Sequence, residues 1–203
     1  MRIAFRYVVL VILATAGLTA SAQTDVGLSL YGAFHGTTTA NGVQQSPANS
    51  AGGLFELRHL SNPILGFEGT YSYNRANQRY SPVCSSGVCP PLSVTTIKAG
   101  AHELTFDWVP SVGVANFRPF GVLGVGAIFH VPDSGEPSGT TQTSTKGVFV
   151  YGAGLDWGLL PHLGLRFQYR GNLYQPPDLT HLYTSASTFT HTAEPMIGVY
   201  FRL

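Results

Sequence analysis

A chain of 203 residues with 10% charged residues, 12% aromatics, 24 glycines and a formal net charge of +1 is unlike an ordinary soluble domain, where about a quarter of residues are charged. Near-neutrality leaves no electrostatic footprint for nucleic acid. Beyond the N-terminal segment no apolar run reaches about 18 residues, so helical spans are excluded, and a closed β-barrel is the remaining way to satisfy every backbone group inside a bilayer.

The chain opens on an export signal. Arg2 and Arg6 form a positive n-region, Tyr7 to Leu18 is an uncharged apolar stretch, and Ala20-Ser-Ala22 supplies the small-x-small cleavage pattern. Cleavage after Ala22 predicts a leader at 1–22 and a single barrel domain at 23–203.

Eight segments of period two follow. Asp25–Phe34 places Val26, Leu28 and Leu30 on one face, and Leu54–His59, Leu65–Asn74 and Ala101–Trp108 alternate likewise. Phe117–Phe129 is a strand whose two faces are both apolar or Gly and stay unassigned. Val148–Gly158 precedes the clearest strand, Gly164–Asn172, where Leu165, Phe167 and Tyr169 oppose Arg166, Gln168 and Arg170. Thr192–Leu203 places Ile197, Val199, Phe201 and Leu203 on one face, with Pro195 inside the strand predicting a bulge near its outer end.

Connections alternate in length. The segments His35–Gly52, Arg75–Ile97, His130–Thr145 and Leu173–Phe189 are long, rich in Ser, Thr, Gly and Pro, and expected to be solvated and mobile. Leu60–Pro63, Pro110–Asn116 and Leu159–His162 are short, and each contains a proline that ends a strand. Short turns at one end and long loops at the other are the layout of an outer-membrane barrel, turns periplasmic and loops outside. The fold class expected is all-β, an eight-stranded antiparallel up-and-down transmembrane barrel. Cys84 and Cys89, in Pro82-Val-Cys-Ser-Ser-Gly-Val-Cys-Pro-Pro91, are expected to close a small disulfide loop in an oxidising compartment.

The faces decide which side meets lipid. Opposite the apolar faces lie Glu56, Arg58, Glu68, Glu103, Asp107, Asp156, Arg166, Arg170, Glu194 and Arg202, joined by Arg118. The apolar faces carry Phe67, Tyr71, Tyr73, Phe106, Trp108, Tyr151, Trp157, Phe167, Tyr169 and Phe201, with Trp108, Trp157 and Phe201 toward the turn end and Tyr71 and Tyr73 toward the loop end. Two aromatic girdles suit the headgroup regions, so the apolar faces point outward. An eight-stranded interior is only wide enough for side chains, and the six acids and five arginines in it are expected to pair, because an unpaired buried charge is costly. The expected lumen is a charge-paired plug.

The chain beyond the leader resembles the small outer-membrane barrels of the OmpA and OmpX transmembrane type and the opacity-like barrels. Phe120-Gly-Val-Leu-Gly-Val-Gly126 and the ending Gly198-Val-Tyr-Phe-Arg-Leu203 carry the resemblance. That ending is similar to the insertion signal read by the barrel-assembly machinery, with Leu203 where Phe is usual. The resemblance implies a bacterial outer-membrane location among outer-membrane lipid and lipopolysaccharide, without a peptidoglycan-binding domain, and is nearly silent about function.

Three function classes are open at this point. The first is a non-enzymatic envelope protein, without cofactor, catalytic residues or metal, whose barrel anchors four surface loops for an unnamed partner. The second is a lipid A-modifying hydrolase or acyltransferase. The lipid A deacylase pattern needs His and Ser near Phe167-Gln-Tyr-Arg-Gly-Asn172, which has neither. A palmitoyltransferase-like site would draw on Asp178, His181, Ser185, Ser187 and His191 of the last loop, with no spacing to select a pair. The third is a narrow ion channel. The histidines His35, His59, His102, His130, His162, His181 and His191 are scattered, several at strand ends where an amphipathic ring suits the interface, and Gly121–Gly126 lies within a strand rather than before a helix, unlike a nucleotide loop.

Overall fold

The computed structural model describes residues 22–40, 42–83, 94–136, 140–180 and 188–203. All of the leader expected at 1–22 except Ala22, and the two cysteines expected to pair, Cys84 and Cys89, lie outside the described residues. The described residues form twelve strands: β1 (Gln23–His35), β2 (Thr38–Ala40), β3 (Val43–Pro47), β4 (Ser50–Leu60), β5 (Gly66–Arg75), β6 (Gln78–Pro82), β7 (Thr95–Ile97), β8 (Ala99–Trp108), β9 (Phe117–Pro132), β10 (Ser144–Gly158), β11 (Leu163–Tyr174) and β12 (Thr190–Arg202). Eight of them close a barrel in the order β1-β12-β11-β10-β9-β8-β5-β4, every pair antiparallel.

Alternation forms this barrel, because period two along a strand sends successive side chains to opposite faces. In β4 and β5 burial alternates residue by residue, with Leu54, Glu56 and Arg58 inside and Phe55 and Leu57 outside. Leu28, Leu30, Phe106, Val125, Ile197 and Phe201 stand exposed on the outer wall, a band that only lipid would cover favourably. The register also resolves β9: Phe120 and Val122 point inward, Leu123 and Val125 outward. Gly124 is inward too, and a β-carbon there would run into the Asp107 carboxylate and its backbone. Glycine in this strand therefore clears space for the charged side chains opposite.

At the short-turn end, Asn62 Oδ1 accepts from the amides of Ile64 and Leu65, both at 2.9 Å, in an Asx-type turn. The β8–β9 hairpin tip is held by reciprocal Val114–Phe117 backbone bonds of 2.7 and 3.0 Å, which place Ala115 at φ 55°.

Two sequence expectations are corrected. Pro195 sits in no bulge. The β1–β12 register is the same on both sides of it (Tyr31 opposite Met196, Phe34 opposite Ala193), while Gly32 and Ala33 are left out of the ladder and β11–β12 pairing runs through unbroken. The missing N–H is thus absorbed by a gap in one ladder, which needs no extra residue. The first two long loops are also not merely solvated. Between them they build a second, four-stranded sheet, β2-β3-β6-β7, above the barrel. Its underside packs Tyr80 and Ile97 with Ala99, Leu179 and Val43.

Candidate functional site: the lumen and its outer cap

The inner wall places the charges of facing strands within reach of one another. Arg58 on β4 is opposite Glu68 on β5, and its Nε and Nη2 meet Glu68 Oε2 at 2.6 and 2.5 Å. Arg166 on β11 is opposite Asp156 on β10 and grips it with two donors, Nε to Oδ1 at 2.6 Å and Nη2 to Oδ2 at 2.9 Å. Arg166 Nη1 also donates to Glu56, and Arg58 Nη1 reaches Asp156 at 3.4 Å. These contacts cross the barrel and join the two pairs into one network. Bidentate, charge-assisted geometry of this kind offsets the desolvation of the buried ions.

One step toward the long-loop end, Arg170 gathers a second group. Its Nη1 lies 2.9 Å from Asp107 and 3.6 Å from Glu68, and its Nη2 lies 3.7 Å from Glu103 and 3.1 Å from the Thr105 hydroxyl. Asn172 Nδ2 donates to Glu103 at 2.9 Å. Glu194 is buried across from Arg170 in the register. Phe120 packs against the first network, with the Arg58 guanidinium 4.1 Å and the Arg166 guanidinium 5.4 Å from its ring.

Of the eleven residues that the sequence assigns to the lumen, Glu56, Arg58, Glu68, Glu103, Asp107, Asp156, Arg166, Arg170 and Glu194 are buried inside. Arg118 and Arg202 are half-buried at the short-turn end. Arg118 faces Asp156 in the register but bonds instead to Gln23 Oε1 at 2.7 Å. Sequence reasoning missed Asp25, fully buried and 3.9 Å from both Arg166 and Arg202. The signal was present, since Val26, Leu28 and Leu30 pointing outward put Asp25 inward. Two histidines also face inward: His35, bonded to the Thr192 hydroxyl at 2.9 Å, and His130, its ring 5.9 Å from Tyr174. Among the described residues no three His, Cys, Asp or Glu converge as a metal site.

The outer wall completes the picture. Phe67 stacks on Phe106 and Phe117 on Trp157, while toward the long loops Tyr71 bonds His102 at 2.8 Å and Tyr151 bonds His191 at 3.0 Å. Among the described residues no charged side chain lies on the apolar band between these rings. The sequence matches the outer membrane protein beta-barrel domain over residues 8–193. The chain belongs to that family.

As an outer membrane β-barrel protein of the bacterial outer membrane it is similar in fold to solved members of the class. Neisserial surface protein A superposes with a TM-score of 0.57 at 13% identity, over 90% of this chain and 99% of that one. Ail of Yersinia pestis, in complex with the heparin analogue sucrose octasulfate, gives 0.52 at 15% identity, over 90% and 97%. OprG of Pseudomonas aeruginosa gives 0.50 at 15%, over 93% and 98%. No curated protein matches the sequence.

In such barrels the short turns face the periplasm and the long loops the outside, so the second sheet is an outer structure. It is tied over the barrel mouth by the segment after β11. Pro177 O accepts from Gln45 Nε2 at 3.0 Å and from the Tyr80 hydroxyl at 3.2 Å, and the Leu179 amide donates to Tyr80 at 3.4 Å. Leu179 is fully buried beneath the sheet. Burial pushes the Tyr80 phenol well above its ordinary range. Of the last-loop residues weighed for catalysis, Asp178 belongs to this cap, its amide bonded to Ser144, and His191 is held on the wall by Tyr151. His181, Ser185 and Ser187 lie outside the described residues.

Proposed function

We propose that this protein is a non-enzymatic anchor whose barrel carries a surface platform for contact outside the cell. The observation that carries the reading is the outer sheet. It is ordered, locked to the barrel by the Pro177–Leu179 cap, and turns a polar face outward with Thr39, Gln44, Arg79 and Thr96 exposed. Arg79 stands there as a cation among neutral hydroxyl and amide groups. Ail shares the fold and was captured with a heparin analogue, which makes sulfated glycans the first ligand class to test on this face. A lumen filled by crossed ion pairs favours an anchor over a channel.

The experiment replaces residues 36–49 and 76–98 by tight turns. The shortened protein is expected to fold and insert, yet to lose binding of whole cells to glycan and matrix surfaces. Lipopolysaccharide recovered with altered acyl chains after incubation with the wild type would replace this reading by that of a lipid A hydrolase or acyltransferase. Two further features belong to the proposal. Removal of the leader leaves Gln23 as the first residue, so that strand β1 starts at the periplasmic face, and C-terminal Gly198–Leu203 engages the barrel-assembly machinery. Cys84 and Cys89 are joined in the second loop, and thiol labelling of both in intact cells without reductant would refute that pairing.

A further inference from the structure

The periplasmic end of the barrel holds positive charge that the ion-pair networks leave unused. Arg58, Arg166 and Arg170 each meet two or more carboxylates. Arg118 and Arg202 do not. Among the described residues no carboxylate lies within 4.0 Å of Arg118, which donates instead to the neutral Gln23 side chain. Among the described residues the one carboxylate near Arg202 is that of Asp25, at 3.9 Å, and Asp25 already takes a 2.5 Å bond from Gln23 and is shared with Arg166. The Nε of Arg202 is buried without a hydrogen-bond partner.

Both guanidinium groups line one cavity of about 390 Å³, opening between the β8–β9 and β10–β11 turns. Tyr200 and Asn116 line it too and bring a hydroxyl and an amide. Its remaining wall is apolar and is built by the two turns, with Ala115, Phe117, Leu159, Leu160 and Pro161. Phe117 there stacks on Trp157, and Leu160 is 63% exposed. Cationic depth beside an apolar lip is the complement of an anionic headgroup with hydrocarbon attached. A bare phosphate, with five heavy atoms, would fill only part of such a space and leave the lip wet.

We propose that this cavity binds the phosphodiester of a glycerophospholipid from the inner leaflet, Arg118 and Arg202 holding its oxygens while the acyl chains run out over Leu160 and Phe117. Planar guanidinium donors suit phosphate oxygens in pairs, and the phosphate gives these two the hydrogen-bonding oxygens that Asp25, held by Gln23 and shared with Arg166, supplies to neither. The site faces the periplasm and is independent of the outer platform.

The test uses full-length protein, refolded in uncharged detergent free of lipid, and native mass spectrometry with four probes: dihexanoyl phosphatidylglycerol, dihexanoylglycerol, glycerol 3-phosphate and inorganic phosphate. The short-chain phospholipid is expected to bind most tightly, and Arg118→Gln with Arg202→Gln to weaken it by about tenfold or more, the loss expected for charge-assisted contacts. Retained heat-modifiable migration on a gel shows that the variant is folded. Should the double variant fail to fold, Asn116→Asp, which places a carboxylate in the turn rather than in a strand, is expected to weaken the same lipid. Equal binding of phosphatidylglycerol and dihexanoylglycerol would overturn the site, as would undiminished binding by the variants. Glycerol 3-phosphate binding as tightly as the lipid would overturn the membrane source in favour of a soluble phosphate ester.

Discussion

Arg166 and Arg118 differ by more than position. Removing the Arg166 guanidinium leaves Asp25, Glu56 and Asp156 without the group that joins them, and stranding the partner of a buried ion pair costs roughly 3–5 kcal/mol. Arg166→Ala is expected to lose stability of that order in urea titrations, followed by the shift between folded and unfolded gel bands. Arg118 is half-buried and bonds to a neutral amide, so Arg118→Ala is expected to cost less than about 1 kcal/mol in the same assay, as exposed charges do. Equal losses would mean that ion pairing is not what holds the lumen. The inward side of Arg166 was legible from three apolar neighbours at alternate positions. Its partner across the barrel was not, because Glu56 lies 110 residues away on a strand that does not pair with β11, and only closure of the barrel brings the two together.

At the scale of elements, two substitutions probe turns and cap separately. Ala115 is held at φ 55° in the β8–β9 tip, a left-handed conformation that costs an L-residue about 1 kcal/mol and glycine little. Ala115→Gly is therefore expected to raise the unfolding free energy read from urea titration by up to about 1 kcal/mol, with no change in lumen properties. Tyr80→Phe removes the hydroxyl that donates to Pro177 and accepts from Leu179. The loss is expected at about 1 kcal/mol, confined to the cap and seen as faster hydrogen exchange at the Leu179 amide. Since the folded state raises the phenol above its ordinary 10.0, the cap keeps its full contribution up to about that pH and weakens only above it. The eight barrel strands were legible because lipid outside and charge inside give alternation a strong contrast. The outer sheet was not. Gln45, Gln78 and Tyr80 alternate with Gln44, Arg79 and Ser81, and polar against polar leaves hydropathy nothing to read, although burial separates them once the cap lies on top.

For the whole molecule, the prediction is a barrier rather than a pore. Phe120 with Arg58 and Arg166, the Arg170 group one step outward and the cap above obstruct the lumen at successive depths. Wild-type protein in planar bilayers is expected to show little steady current, and replacing residues 175–180 alone is not expected to open it, because the middle layer stays in place. Large, steady single-channel currents would move the protein to the channel class.

The gap beside Pro195 bears on how such a wall comes into being. The ladder between β1 and β12 joins the two ends of the barrel sequence, so it carries the greatest loop-closure entropy of any pairing and is the natural last step. Its rungs are continuous from Asp25 with Arg202 to Tyr31 with Met196, then missing for two residues before Phe34 meets Ala193. A fastening with teeth absent near one end is drawn shut from the other. Closure should therefore start at the periplasmic edge and travel outward, leaving the stretch around Gly32 and Ala33 as the final part of the cylinder to seal and the first to breathe.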